Sequence, residues 1–240
     1  MTPASGPIER RIPVPGAGEV SGLLIFPPEM RALVVLAHGA GAGMRHPFMD
    51  GVARRLAALR IGTLRYQFPY MEQGEQGEQG RRRIDPEPVV LGTVRAAVEA
   101  GRQAAGGLPL LAGGKSFGGR MTSRAAAGPA LRAGTPPLAG VAGLVFLGFP
   151  LHPAGQPGVT RADHLAKVDH PMLFLQGTRD ALADLTLLEP IVRTLGHRAT
   201  LRVIEHADHS FHVLKGSGRT DQEVLDELAG AVAEWLEDRT

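Results

Sequence analysis

Short apolar runs recur along this 240-residue chain, and no other feature restricts its fold so tightly. They fall at residues 22–26, 32–37, 62–66, 108–112, 143–149, 172–175 and 200–204. Several are continuous rather than alternating, the pattern of strands covered on both faces. Segments of helical period lie between them. Phe48, Val52, Leu56 and Leu59 form one stripe, and Val90, Val94, Ala97 and Val98 another. Near the C-terminus Val224, Leu225, Leu228, Val232, Trp235 and Leu236 share a face opposite Asp226, Glu227 and Glu234. Strands alternating with helices predict one α/β domain over residues 1–240, with a mostly parallel central sheet and helices on both faces.

Composition then removes whole classes of chemistry. With no cysteine the chain has no disulfide, no thiolate metal site, no Fe–S cluster and no Cys nucleophile. Lys and Arg number 26 against 24 Asp and Glu, and a net charge of +2 leaves no nucleic-acid footprint. No stretch reaches the roughly 18 apolar residues of a membrane span, and the first twenty residues lack the apolar core of a signal peptide. A cytoplasmic protein without membrane attachment is the expectation. Residues 72–80 spell EQG three times and lead into Arg81, Arg82 and Arg83. A polar, glycine-spaced repeat cannot bury anything, so 72–83 is predicted to be a solvated, mobile loop, with a lid or a partner-binding tongue as the functional alternative.

The sharpest local signal is Gly114-Lys115-Ser116-Phe117-Gly118-Gly119, after one apolar run and before a helical segment. This is G-x-S-x-G in strand–turn–helix context, where a serine sits on a strained turn and its neighbours must lack side chains. The string Gly-Lys-Ser also hints at a phosphate loop, but that motif needs glycine at position 109, which holds proline. A serine nucleophile needs a base, and the base needs an orienting acid. Asp180 follows the run 172–175, and His209 follows the run 200–204, each placed on a loop past a strand. Among nine histidines His209 is preferred over His206 and His212, because it lies inside the loop. Asp180 is preferred over Asp184, expected within the following helix, and over Asp208, too close to the base in sequence. Small residues at His38-Gly39-Ala40-Gly41-Ala42-Gly43 follow another run, and the N–H groups of Ala40 and Phe117 are the candidate oxyanion donors. His38 reads as a buried histidine bracing that loop.

With these residues placed, the chain resembles the α/β-hydrolase superfamily from about residue 22 onward. It is most similar to the small, lidless, dienelactone hydrolase-like group, which also includes the hydrolase-like subunit of a histone acetyltransferase complex. The resemblance rests on HGAGAGM (38–44), FPYM (68–71) with Arg81 to Arg83 nearby, GKSFGGR (114–120), GFPLHP (148–153), LQGTRD (175–180) and ADHSF (207–211). It implies the α/β-hydrolase fold, a Ser116–His209–Asp180 triad, and no metal or organic cofactor. Dienelactone hydrolase itself uses a cysteine nucleophile, so its substrate does not carry over. About twenty residues separate 149 from His170, too few for a helical cap, and an open site is expected. Phe68, Tyr70, Leu151, His152 and Phe211, with Phe117, are its expected walls. Arg81 to Arg83 or Arg120 could favour an anionic substrate group or be a solvated face. The reading is a serine hydrolase of small carboxylic esters or thioesters. A hydrolase-like interaction module and a peptidase or amidase stay open beside it.

Overall fold

Eight strands form one sheet in the computed structural model, which describes residues 6–72, 83–129 and 137–239. The strands are β1 (Ile8–Val14), β2 (Gly18–Ile25), β3 (Ala32–Ala37), β4 (Ile61–Tyr66), β5 (Leu110–Lys115), β6 (Val141–Leu147), β7 (Met172–Gly177) and β8 (Ala199–Ile204). Their order across the sheet is β1-β2-β4-β3-β5-β6-β7-β8. The pairs β1·β2 and β2·β4 are antiparallel, and every other pair is parallel. Each of the seven apolar runs becomes a strand. β1 was not anticipated, because an edge strand reading IERRIPV buries only Ile12 and Val14 and carries charge elsewhere.

Helices α1 (Pro47–Ala58), α2 (Pro69–Glu72), α3 (Glu87–Ala105), α4 (Phe117–Ala127), α5 (Leu185–Leu195) and α6 (Asp221–Glu237) complete the regular structure. Alternate residues of one strand feed two separate cores. Leu33, Val35 and Ala37 of β3 belong to the core shared with α3, α4 and α5, while Ala32, Val34 and Leu36 belong to the core shared with α1 and α6. This is why the strands read as unbroken apolar runs: both faces are covered. On the α6 side the Trp235 ring occupies the space a side chain at Gly143 would need. Replacing Trp235 by alanine would cost about 3–5 kcal/mol.

Between β6 and β7 the chain forms only a short 3-10 segment, Thr160–Lys167, and no separate cap domain stands over the sheet among the described residues. Residues 73–82, which hold most of the EQG repeat and Arg81 and Arg82, lie outside the described residues. Glu72 departs from the solvated loop expected of it. It closes α2, and its carboxylate accepts the Ser21 N–H and, at 3.1 Å, the Ser21 hydroxyl of β2.

Candidate active site

One residue separates the end of β5 from the start of α4, and that residue is Ser116. A reversal this tight forces it to φ 50° and ψ −116°, a region that costs a non-glycine residue roughly 1–3 kcal/mol. The surroundings hold it there. Ser116 N–H donates to the Leu147 carbonyl at 3.1 Å, and its own carbonyl accepts from Arg120 N–H at 3.0 Å. The flanking glycines are steric necessities. A β-carbon at Gly118 would stand 2.5 Å from the His38 carbonyl oxygen, and one at Gly114 would run into the Ala37 carbonyl.

Two later loops meet this serine. Past β7 the chain turns through Asp180, whose carboxylate is fully covered. Its Oδ1 accepts from Leu182 N–H at 2.8 Å, and its Oδ2 accepts from Gln176 Nε2 at 2.5 Å and from His209 Nδ1 at 2.7 Å. Because a carboxylate only accepts, His209 carries its proton on Nδ1, and the Nε2 lone pair faces Ser116 Oγ at 2.8 Å. The loop after β8 is shaped by Asp208, whose Oδ1 accepts from Ser210 N–H at 2.8 Å and from His212 N–H at 3.0 Å. The rival histidines are elsewhere: His212 pairs with Asp221 at 2.7 Å, and His206 is exposed with its backbone tied to Thr178. Asp184 is not inside α5 as expected but is its N-cap, accepting from Thr186 N–H at 2.8 Å.

The loop after β3 is fixed from β4 and its continuation. His38 is fully buried, donates from Nδ1 to the Gly39 carbonyl at 2.7 Å, and accepts from Phe68 N–H at Nε2, 3.0 Å. Burial lowers its pKa to about 4, so it stays neutral and braces two chain segments. Gln67 Oε1 accepts from Met44 N–H at 2.9 Å, and buried Arg65 donates to the Met44 carbonyl at 3.2 Å. The Phe117 N–H, first in α4, has no intrahelical acceptor, and the Ala40 N–H donates to no acceptor among the described residues.

The expected walls divide. Phe117 is half-buried, edge-on to Phe68 at 5.6 Å and to Tyr70 at 6.4 Å. Phe68 and Leu151 are 0% exposed and belong to the core, so they support the site rather than line it. Tyr70 and Phe211 are nearly covered, the latter stacked on Phe48 at 5.6 Å. His152 is a loop brace: it donates to the Pro153 carbonyl at 2.9 Å and accepts from Asp184 N–H at 3.1 Å. It also lines an open groove of about 500 Å³ with Thr178, Asp180, Asp184 and Thr186. Among the described residues no three His, Asp or Glu side chains are placed to hold a metal.

Residues 30–237 match the family described as alpha/beta hydrolase domain. The chain belongs to that family. The α/β hydrolase is similar to dienelactone hydrolase from Anabaena variabilis, with 22% identity, 98% and 99% of the two chains covered and a TM-score of 0.71. A lidless serine hydrolase from Xanthomonas campestris shares 20% identity over 96% and 95% of the chains, with a TM-score of 0.69. A cold-adapted esterase from an Arctic intertidal metagenomic library shares 20% over 96% and 92%, at 0.63. At these identities the likeness is one of fold.

Three contributors to this hydrolase's site escaped sequence reasoning. Gln176 links Asp180 to the Phe149 N–H at 2.9 Å, yet in the sequence it is one polar letter at the end of an apolar run. Arg65 left a clearer trace, a charge inside a run otherwise read as a buried strand. Lys115 was visible as the variable position of the G-x-S-x-G motif and the middle of a rejected Gly-Lys-Ser string, neither of which assigns its side chain a role.

Proposed function

We propose that this α/β hydrolase is a serine hydrolase that cleaves small carboxylic esters or thioesters through an acyl-enzyme. The observation that carries the proposal is the polarity of the Ser116–His209–Asp180 chain: the imidazole offers a lone pair, not a proton, to the serine hydroxyl. In the proposed reaction His209 Nε2 takes the Ser116 proton as Oγ attacks the acyl carbon. Asp180 holds the tautomer and stabilises the imidazolium. The Ala40 and Phe117 N–H groups bind the developing oxyanion, each donor being worth about 3 kcal/mol. His209 then protonates the departing alkoxide or thiolate. Water, deprotonated by the same nitrogen, hydrolyses the acyl-enzyme. No step calls on a metal or an organic cofactor.

The half-buried Phe117, backed by Tyr70, is the proposed apolar surface beside the acyl group, and residues 1–240 are proposed to act as one cytoplasmic domain on a small-molecule substrate. That no cap domain stands over the sheet among the described residues supports modest substrates reached from solvent, and no helix among them is long and apolar enough to cross a membrane. A fluorophosphonate probe is the direct test. The wild type should label and Ser116→Ala should not. Hydrolysis of p-nitrophenyl acetate and butyrate and of matched acyl thioesters should depend on Ser116, with anilide analogues slower. No Ser116-dependent labelling together with no turnover would leave the fold as an interaction module and sink the enzyme reading.

A further inference from the structure

Lys115 immediately precedes Ser116, and its side chain reaches the loop that carries His209. Its Nζ donates to the His209 carbonyl at 2.5 Å, across 94 residues of sequence. The same ammonium stands 5.3 Å from the Phe211 ring centroid and 5.9 Å from that of Phe48, the two rings lying nearly parallel. Such cation–π contacts keep a positive charge tolerable where water is scarce. Gly148 fills the remaining side. It has φ +71°, and a β-carbon there would stand 3.1 Å from Nζ and 3.5 Å from Asp180 Oδ2. A bare α-carbon therefore leaves the path between ammonium and carboxylate open. The ionisable groups facing Lys115 are Asp180 after β7 and Asp208 and His209 after β8; from α1 and the loop after β3 it meets Phe48 and Gly39.

We propose that Lys115 is a positioning residue for the base, tethering the His209 backbone and serving as the counter-cation of the covered Asp180 carboxylate. This deepens the serine-hydrolase reading and rests on it. The charge count gives the reason for a lysine. In the resting site neutral His209 cannot balance Asp180, and Lys115 does. As acylation proceeds, imidazolium and oxyanion appear together, so the net charge around the triad does not change. Without Lys115 the covered Asp180 carboxylate has no cation beside it, which favours the protonated, idle form of the triad as a whole. The cost of burying the ammonium is visible too: burial lowers its pKa to about 8, with Asp180 and Asp208 opposing the fall.

Two substitutions separate tether from charge. Lys115→Met removes both, and Lys115→Gln keeps a donor without the charge. With p-nitrophenyl butyrate, Lys115→Met should lose roughly 10–100-fold in kcat, the scale of a base displaced by about 1 Å. KM should stay within about threefold. The acid limb of kcat/KM against pH should move upward in both variants, and the wild-type decline above pH 8 should vanish in both. Lys115→Gln should recover part of kcat. Because Lys115→Met leaves the covered Asp180 carboxylate without its cation, its Tm should fall, so the pH profile rather than the Tm is the readout that a merely structural lysine would not move. Unchanged kcat and pH profile in Lys115→Met overturn the proposal. So does a loss of activity accompanied by a lower Tm and an unmoved acid limb, the signature of a merely structural lysine. A wild type without Ser116-dependent labelling overturns both this and the reading beneath it.

Discussion

Two serine–histidine pairs sit seven residues apart around α4, and they differ in the polarity of their hydrogen bonds. Ser116 Oγ lies 2.8 Å from His209 Nε2, and Ser123 Oγ lies 2.7 Å from His164 Nε2. Distance does not tell them apart; the second partner of each group does. His209 gives its Nδ1 proton to Asp180, so its Nε2 accepts. Ser123 already donates its single proton to the Arg120 carbonyl at 2.8 Å, so His164 must be the donor and Ser123 the acceptor. Ser123 is also fully buried inside the helix, whereas Ser116 is raised on the turn before it. Around His164 the charges are Arg124 and Arg120, with Glu87 opposing them, and the first two help burial hold its pKa at about 4. A Ser–His contact becomes a nucleophile and base only when an acid sets the tautomer and the backbone presents the hydroxyl.

The largest effect should come from exchanging the two serines for alanine. Ser116→Ala should lower kcat/KM by at least about 10⁴-fold and abolish probe labelling. Ser123→Ala should leave kcat/KM within roughly threefold while costing about 1–2 kcal/mol in urea denaturation, because it strands the His164 N–H. Labelling that survived at Ser116→Ala and vanished at Ser123→Ala would reverse the assignment. Next in size is Asp180→Asn, expected to reduce kcat by about 10³–10⁴-fold. An amide donating from its nitrogen would favour the wrong imidazole tautomer, making His209 resemble His164. Activity near wild type in this variant would show that polarity is not what separates the pairs.

What could be read in advance follows the range of the interaction. The nucleophile turn is local: Gly114, Ser116 and Gly118 are spaced by steric demands within five residues, so the motif carries its own geometry. Asp180 and His209 were placed by strand order, because each falls just past a strand of a parallel sheet. Contacts that cross the sheet left weaker traces. Lys115 reaches His209 from 94 residues away, and Gln176 reaches back to Phe149 across neighbouring strands. Phe68 and Leu151 look like pocket walls in sequence because they flank motif positions, but the chain turns both inward and they are core. β1 was invisible for the opposite reason, since an edge strand can carry charges that no apolar pattern records.

Gln176→Leu tests the support beneath the proposed catalytic pair. It removes the Nε2 donor from Asp180 Oδ2 and the Oε1 acceptor of the Phe149 N–H, and puts an apolar side chain of similar size in β7. Asp180 keeps Leu182 N–H and His209, so the carboxylate should loosen rather than swing away. A loss of roughly 10–100-fold in kcat with little change in KM is expected. No loss would mean that the loop alone positions Asp180.

The smallest effect concerns the silent pair and appears in stability rather than rate. His164 has a folded pKa of about 4 against 6.5 when unperturbed, so between these values the unfolded chain binds more protons than the folded one. Its contribution is therefore intact above pH 6.5 and is lost as pH falls toward 4. Discounted for the ring's partial exposure, this amounts to about 1–2 kcal/mol. His38, also lowered to about 4, titrates in the same window, so removing one histidine should flatten the decline and not abolish it. In His164→Leu the Ser123 hydroxyl keeps its bond to the Arg120 carbonyl, and no imidazole remains to be charged beside Arg120 and Arg124. Urea midpoints between pH 7 and pH 4 should thus fall less steeply than in the wild type, while kcat/KM at pH 7 stays within twofold. An equal slope in the two proteins would mean that His164 is already solvated when folded, and the contrast with the proposed catalytic pair would then rest on Ser123 alone.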